Sequence, residues 1–431
     1  MKKKKLLICS PEAKILHRDL VDSEFYKYMS INFDVDWIFF SKPSKNCLTQ
    51  IKKFHIFKRP SNYRNKIWTI LYYLEEEIIH DFWNWPNINT KLYLSKSLKN
   101  LVYFFIKFKL NKIVIFLCKI LLNLSFPKKN IFKKHEIFVS INGGKGLEYD
   151  DLMRNAEIND CKKIFVPAGW DNISSKPLIV KPDHILVWGE QTKRLCKKLH
   201  KINPLILGTA RYDIYKNNLS KKNSLKKLRL SEQKKYILVA GSGVTFNEKR
   251  LINRIVKYLK KNKLYKYQII YRPHPNAQKR HYDEVLDFKN NSWIKLDPTL
   301  KRNYNLNDYP FLMSAIEGII TPYSSTVIEG LVNNLPCLTV GYHEKGKIIF
   351  DWKSFVQNSP HLRILKNRKF IVHCLDYNQL NIKLDNFFKI MRSNNKYNLD
   401  RQKLVNKIIF INKKNYNQKI HEVFSKVINY E

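Results

Sequence analysis

From residue 136 onward, short runs of β-branched and aromatic residues alternate with segments of helical periodicity, and that alternation constrains the chain more than any other feature. Parallel strands need a crossover between them, so the pattern calls for α/β domains whose ligand sites lie at the carboxyl ends of the strands. Ile137 to Ile141, Lys163 to Val166, His184 to Trp188 and Pro204 to Leu207 read as strands, with helices over Leu147 to Ile158 and Gln191 to His200. Upstream, Leu6 to Cys9 and Val35 to Phe40 read as further strands, so residues 1–215 are expected to form one Rossmann-like domain. Residues 216–235 are polar and basic and read as a linker. The pattern then restarts with strands Tyr236 to Ala240, Gln268 to Tyr271, Gly318 to Thr321 and Cys337 to Val340. Helices over Glu248 to Lys261, Asn307 to Ala315 and Thr326 to Asn333 complete a second doubly wound domain over 236–395, followed by a helical tail over 396–431. Two such α/β domains are expected to face a cleft.

A chain of 431 residues suits two or three domains with ample core. With 44% hydrophobic and 13% aromatic residues it is too apolar for disorder and too polar for a polytopic membrane protein. The formal charge of +43 comes mostly from lysines spread along the whole length, as a compositional bias would produce. It favours polyanions, whether nucleic acid, anionic lipid or sugar phosphates, without choosing among them. Seven scattered cysteines with no CxxC and no histidine at metal spacing read as free thiols in a reducing compartment, not as a metal site. The apolar run Leu6 to Cys9 is too short for a signal peptide, which makes the expected location cytoplasmic. The segment Leu101 to Phe126 is long enough to span a bilayer but carries Lys107, Lys109, Lys112 and Lys119. Each would cost about 2.5 to 3.5 kcal/mol near the bilayer centre. The segment therefore reads as an amphipathic helix, either lying in a membrane interface with its lysines wet or packed on its own domain.

Several segments at strand ends carry chemistry. In Arg272-Pro273-His274-Pro275 the prolines fix the backbone around a cation and an imidazole, which suits phosphate binding or acid–base work, or merely a rigid turn. In the segment from Thr321 to Gly330, Thr326 and Glu329 have capping-box spacing. Ser324, Ser325 and Thr326 would line an anion site at the helix start, with Glu329 reaching ribose hydroxyls. Gly241-Ser242-Gly243 suits a tight turn beside a phosphate; it falls short of a dinucleotide fingerprint, and there is no P-loop. Gly143 and Gly144, in a glycine-rich stretch, would let an acceptor or diphosphate approach the backbone, or simply make a flexible connection. Trp170, Asp171, Asn172, Ser174, Ser175 and Lys176 crowd polar groups after another strand, with Asp171 the best carboxylate for a base or the start of an Asx turn. Arg211 and Asp213 are expected to form a hinge ion pair, the alternative being an Arg211 that reaches a phosphate.

Five of these stretches, GWDNISSK (169–176), LVWGE (186–190), GTARYD (208–213), RPHP (272–275) and SSTVIEG (324–330), occur in an order that resembles GT-B type surface and capsular polysaccharide biosynthesis proteins. These are relatives of the CDP-glycerol glycerophosphotransferase clan, and the similarity covers residues 136–345. The resemblance implies a metal-independent glycosyltransferase of cell-envelope assembly that needs no cofactor, with a nucleotide-sugar as substrate. Its acceptor, a glycan or lipid-linked glycan, would lie mainly on the first domain near Gly143, Gly144, Trp170, Asn172, Ser174, Ser175 and Lys176, with Asp171 as base. The donor would lie on the second domain, with Arg272 and His274 facing its phosphates, Ser324, Ser325 and Thr326 on the diphosphate, Glu329 on the ribose, and Gly241, Ser242 and Gly243 in the adjoining turn. Pro322 stands where glycerophosphotransferases typically carry an acidic residue, which implies a sugar donor over glycerol phosphate. The rival readings are a glycerophosphotransferase, a sugar-nucleotide epimerase or hydrolase on the same fold, and a non-catalytic basic protein bound to a membrane surface or, less in keeping with the motifs, nucleic acid.

Overall fold

The computed structural model describes residues 5–11, 19–57, 62–83, 96–124, 130–142, 147–216, 219–241, 246–274, 291–299, 308–342, 352–411 and 414–429. The chain divides into two units, residues 1–213 with 407–431, and residues 214–406.

The first unit is built on a seven-stranded sheet of β1 (Lys5–Cys9), β2 (Asp34–Phe39), β3 (Phe54–Ile56), β4 (Ile137–Asn142), β5 (Lys162–Pro167), β6 (His184–Val187) and β7 (Leu205–Ile206). Their order is β3-β2-β1-β4-β5-β6-β7, every pair parallel. All six residues of β4 are buried, because a central parallel strand is covered on both faces and so reads as an unbroken apolar run. Alternate side chains enter two cores: Leu6, Ile8, Val139 and Ile141 pack with Phe25, Trp37 and Phe424, while Leu7, Cys9 and Phe138 pack with Trp68, Leu71 and Leu152.

The second unit has a six-stranded parallel sheet of β8 (Lys235–Ala240), β9 (Tyr267–Arg272), β10 (Ile294–Leu296), β11 (Ile316–Pro322), β12 (Cys337–Val340) and β13 (Ile371–Cys374), in the order β10-β9-β8-β11-β12-β13. The helix Glu248–Lys261 shows why the intervening segments are helical. Leu251, Ile252, Ile255, Val256 and Leu259 recur on one buried face, and the Asn247 side chain accepts the N–H of Arg250 at 3.0 Å as its N-cap.

Three expectations change. The stretch 216–235, read as a linker, carries the helix Lys221–Lys227, which buries Leu225 and pairs Lys221 with Glu317 of the second unit. The tail does not stand apart: the helix Asn398–Ile408 leads back to the first unit, where the helix Tyr416–Asn429 buries Tyr416, Ile420 and Phe424 in the core. Leu101 to Phe126 is not one helix. It falls on the helices Lys96–Lys107 and Asn111–Leu124, divided by a turn in which Lys109 has φ 56, and its last two residues lie outside the described residues. Among the described residues no helix is long and apolar enough to cross a membrane.

The returning tail explains two motif glycines. A Cβ on Gly189 would lie 2.5 Å from the carbonyl oxygen of Ile408, and the N–H of Phe410 donates to the Trp188 carbonyl at 2.7 Å. Gly208, at φ +90, would bring its Cβ within 2.8 Å of the Phe410 oxygen. The charges beside it have partners other than the expected hinge pair: Arg211 Nε lies 4.0 Å from Asp19, and Asp213 accepts the backbone N–H of Tyr416. Gly189→Ala is therefore expected to push the tail off β6 and cost about 1–3 kcal/mol, read as a lower Tm by calorimetry.

Candidate functional site

In the second sheet the chain leaves β8 for β9 and β10 on one side and returns to β11 on the other, so the strand order reverses between β8 and β11. At such a reversal the loops part and leave a crevice at the carboxyl ends of the strands. Gly241 follows β8, Arg272 ends β9, and Tyr323 to Thr326 follow β11. The Gly241 N–H donates to the Arg272 carbonyl at 2.8 Å. A Cβ on Gly241 would sit 2.5 Å from both carboxylate oxygens of Glu248, which accepts the Tyr271 hydroxyl. Its glycine thus admits a buried carboxylate. Ser242 and Gly243 lie outside the described residues.

Arg272 is enclosed. Its Nη1 donates to Asp297 and, at 3.0 Å, to Thr299 Oγ1, and its Cζ lies 4.4 Å from the centre of the Tyr309 ring. Asp297 is held in turn by the Thr299 N–H and Oγ1, both at 2.8 Å from its Oδ1, and the Tyr309 hydroxyl donates to Glu329 Oε2 at 2.9 Å. The Arg272 side chain is only 14% exposed and that of Asp297 is fully buried. Burial alone opposes the guanidinium charge, but Tyr309, Asp297 and Glu329 outweigh it and push the pKa up. Burial, then Glu329, pushes the Tyr309 phenol well up, so it remains a donor.

Glu329 does not make the expected capping box. It is buried against Tyr309, Ser325 occupies the N-cap of the helix Thr326–Val332, and Ser324 Oγ accepts the Thr326 N–H at 3.3 Å. The loop is braced beneath by Ser324 Oγ at 3.2 Å from Thr321 Oγ1. Beside it Tyr323 stacks on His373, with the rings 5.7 Å apart and inclined by 10°. The His373 Nε2–H donates to the Leu365 carbonyl at 3.1 Å, so Nδ1 accepts the Tyr323 hydroxyl at 2.7 Å. Ser324, Ser325 and Thr326 themselves are half-buried and keep contact with solvent, as does His274, whose pKa is lowered by burial. A buried, fixed cation and an imidazole whose pKa burial lowers thus stand at the end of β9, and three half-buried hydroxyl residues at the end of β11, the two strands that flank β8 at the strand-order reversal.

The first unit is different. Its strand order reverses between β1 and β4, next to Ser10 and Asn142, and Gly143 and Gly144 lie outside the described residues. The stretch after β5 is turned inward. Trp170 is buried with its Nε1 donating to Gln191 at 2.8 Å, and the Asn172 amide oxygen accepts the Gly169 N–H. Ser174 and Ser175 are buried and donate to the Asp171 carbonyl at 3.0 and 2.9 Å. Lys176 Nζ lies 3.0 Å from Glu76. Asp171 is half-buried and accepts from Ser175 Oγ at 3.3 Å, so of the carboxylate and amide in this motif the carboxylate is the one in reach of solvent. The helix Asn172–Ser175 is pinned by His200, whose Nε2–H donates to the Ile173 carbonyl at 2.9 Å.

The partners Asp297, Thr299, Tyr309 and His373 were not singled out in the sequence. Asp297-Pro298-Thr299 directly after β10 was the available signal, a turn at a strand's carboxyl end. A broad groove of about 870 Å³ along β13, lined by Arg368, Lys369, Lys383, Lys389, Arg392 and Lys396, contains none of the sequence-predicted residues. All seven cysteines are buried and none is in a disulfide, and no group of three or more His, Cys, Asp or Glu among the described residues is placed to hold a metal ion.

No family model and no curated protein matches the sequence. Solved structures match its fold. A glycosyltransferase from Rickettsia africae ESF-5 is 13% identical with a TM-score of 0.54 over 100% of both chains. S. aureus MnaA in complex with UDP is 12% identical with a TM-score of 0.53, covering 99% of this chain and 98% of that one. A single-residue variant of the wall teichoic acid polymerase TagF is 13% identical with a TM-score of 0.52, covering 99% of this chain and 89% of that one. At these identities the likeness is one of fold: two parallel-sheet α/β domains of GT-B type.

Two outcomes follow from the contacts. Arg272→Ala would strand the buried Asp297 carboxylate and is expected to cost about 3–5 kcal/mol in denaturant unfolding, so this arginine holds the site's shape as well as its charge. His200 is held neutral, its pKa lowered by burial from 6.5 to about 4. The unfolded chain takes up this proton as the pH falls through 6.5 whereas the folded chain resists until near 4, so this contribution is complete above pH 6.5 and lost on descending towards pH 4. A Tm–pH series should show a shallower acid slope for His200→Asn than for the wild type.

Proposed function

We propose that this protein is a metal-independent glycosyltransferase that moves a sugar from a nucleotide-sugar donor to a surface or capsular glycan acceptor. The observation that carries the reading is the placement of the enclosed Arg272 and of His274 at the end of β9, and of Ser324, Ser325 and Thr326 at the end of β11, on either side of β8 at the strand-order reversal of the second unit. The hydroxyls bind the diphosphate, and the network anchored by Arg272 holds their loop so that its fixed dipoles meet the negative charge growing on the leaving nucleotide. Neutral His274 hydrogen-bonds the departing phosphate oxygen. Glu329, anchored through Tyr309, holds the ribose side of the site. On the acceptor side Asp171 takes the proton of the attacking hydroxyl, whose oxygen forms the new bond to the anomeric carbon as the bond to the diphosphate breaks with its electron pair. The turn built by Trp170, Asn172, Ser174 and Ser175 positions Asp171. No cofactor takes part beyond the nucleotide-sugar itself.

Two relatives in fold support a nucleotide diphosphate as the ligand: the S. aureus MnaA structure contains UDP, and a TagF variant was soaked with CDPG. An epimerase or hydrolase would use the same donor site but consume donor with no acceptor present. Glycerol phosphate transfer fits less well, since Pro322 ends β11 where that clan typically has an acidic residue. The groove of six cations along β13 favours a second reading, a non-catalytic polyanion-binding protein. We place the enzyme in the cytoplasm, at the inner face of the membrane where a lipid-linked glycan acceptor is presented.

A thermal-shift screen of the full chain against UDP, CDP, GDP, CMP and their sugar conjugates tests this reading. One nucleotide should raise Tm selectively, since a ligand that binds only the folded state stabilises it. Ser324→Ala with Ser325→Ala should abolish the rise, and because it also removes the bonds of Ser324 Oγ to Thr321 and to the Thr326 N–H it should lower the unliganded Tm by a few degrees without unfolding the chain. His274→Ala should reduce the rise without abolishing it and lower transfer by roughly 10²–10³-fold. No rise with any nucleotide would overturn the assignment.

A further inference from the structure

The helix Asn111–Leu124 has two apolar faces. Ile115, Cys118 and Leu122 are buried in the first unit's core with Trp68 and Leu71. Ile113, Phe116, Leu117, Ile120 and Leu121, at i, i+3, i+4, i+7 and i+8, are 58%, 64%, 51%, 38% and 42% exposed. That spacing is the stripe by which a helix buries itself against something apolar, yet here it faces outward. The preceding helix Lys96–Lys107 and its turn add exposed Leu101, Tyr103, Phe104 and Phe108. Nine of the twenty large apolar side chains exposed among the described residues thus fall within 21 positions. A patch of this kind marks an interaction surface.

The charges choose the partner. Residues 96–124 contain no Asp or Glu. Lys107, Lys109 and Lys112 are exposed around the turn, with Lys107 Nζ 5.9 Å from the centre of the Phe108 ring, and Lys119 lies at the edge with Nζ 3.1 Å from Glu75. A second copy of the chain would set these lysines against themselves with no carboxylate of the hairpin between them. An anionic bilayer satisfies both halves of the patch, taking the aliphatic and aromatic side chains among its acyl chains and placing the lysines at its phosphates. We propose that the hairpin 96–124 is a docking surface for an anionic lipid bilayer, lying in the interface without crossing it.

Flotation of the full chain with vesicles of phosphatidylcholine alone or mixed with phosphatidylglycerol tests this without any nucleotide. The wild type should float with the mixed vesicles and bind the neutral ones about tenfold less or worse. Phe116→Glu with Ile120→Glu, both on the outward face, should lose about tenfold or more of the binding with Tm unchanged, and Lys109→Glu with Lys112→Glu should lose the preference for anionic lipid. A wild type that floats with neither vesicle overturns the proposal, and so does a folded Phe116→Glu/Ile120→Glu variant that binds like the wild type. If light scattering instead shows a dimer that this double substitution disperses, with no vesicle binding by either protein, a second copy covers the face and the bilayer is excluded.

Discussion

A guanidinium almost shut off from water at the end of β9 is the constraint around which the second unit is arranged. A buried charge is tolerated only when its partners are fixed, and here they come from distant parts of the chain: Asp297 and Thr299 after β10, and Tyr309 on the helix Tyr309–Ala315. Tyr309 hands the constraint on to Glu329, so the helix that begins below the Ser324–Thr326 loop is tied to the end of β9. On the other side His373 clamps Tyr323. The hydroxyl loop is therefore held at both edges by buried hydrogen bonds and not by its own short helix, which has only seven residues. Fixed dipoles of this kind would meet the diphosphate of the proposed donor without rearranging.

How much of this was legible in the sequence depended on the range of the interaction. Parallel strands buried on both faces write themselves as apolar runs, so β4, β5, β8, β9 and β12 could be placed from local pattern alone. Strands of three residues at sheet edges could not: β3 is wholly exposed and has no apolar signature that separates it from a loop. The return of the tail was hidden for a different reason. It depends on Gly189 and Gly208 leaving room for backbone more than 200 residues away, and periodicity says nothing about close approach.

The same divide runs through the site. Arg272, His274 and Ser324 to Thr326 stand out in the sequence as candidates because proline and hydroxyl residues at a strand's end have local meaning. That Arg272 points into a network and not simply towards solvent was invisible, since its partner lies 25 residues on. The segment Trp170 to Lys176 was read as a cluster of ligands because of its polar density. Most of that density is spent within the turn, where Asn172, Ser174 and Ser175 satisfy the backbone of their own loop and Trp170 reaches Gln191. Polar residues packed into a short stretch are as often a turn's own hydrogen bonds as a binding surface, and burial distinguishes the two.

The most direct test of the central claim is a crystal structure of the full chain with the nucleotide diphosphate that stabilises it. The account predicts a diphosphate within hydrogen-bonding distance of Ser324, Ser325 or Thr326, with Arg272 still bound to Asp297 behind it. A nucleotide lodged in the basic groove along β13, or on the first unit alone, would contradict it.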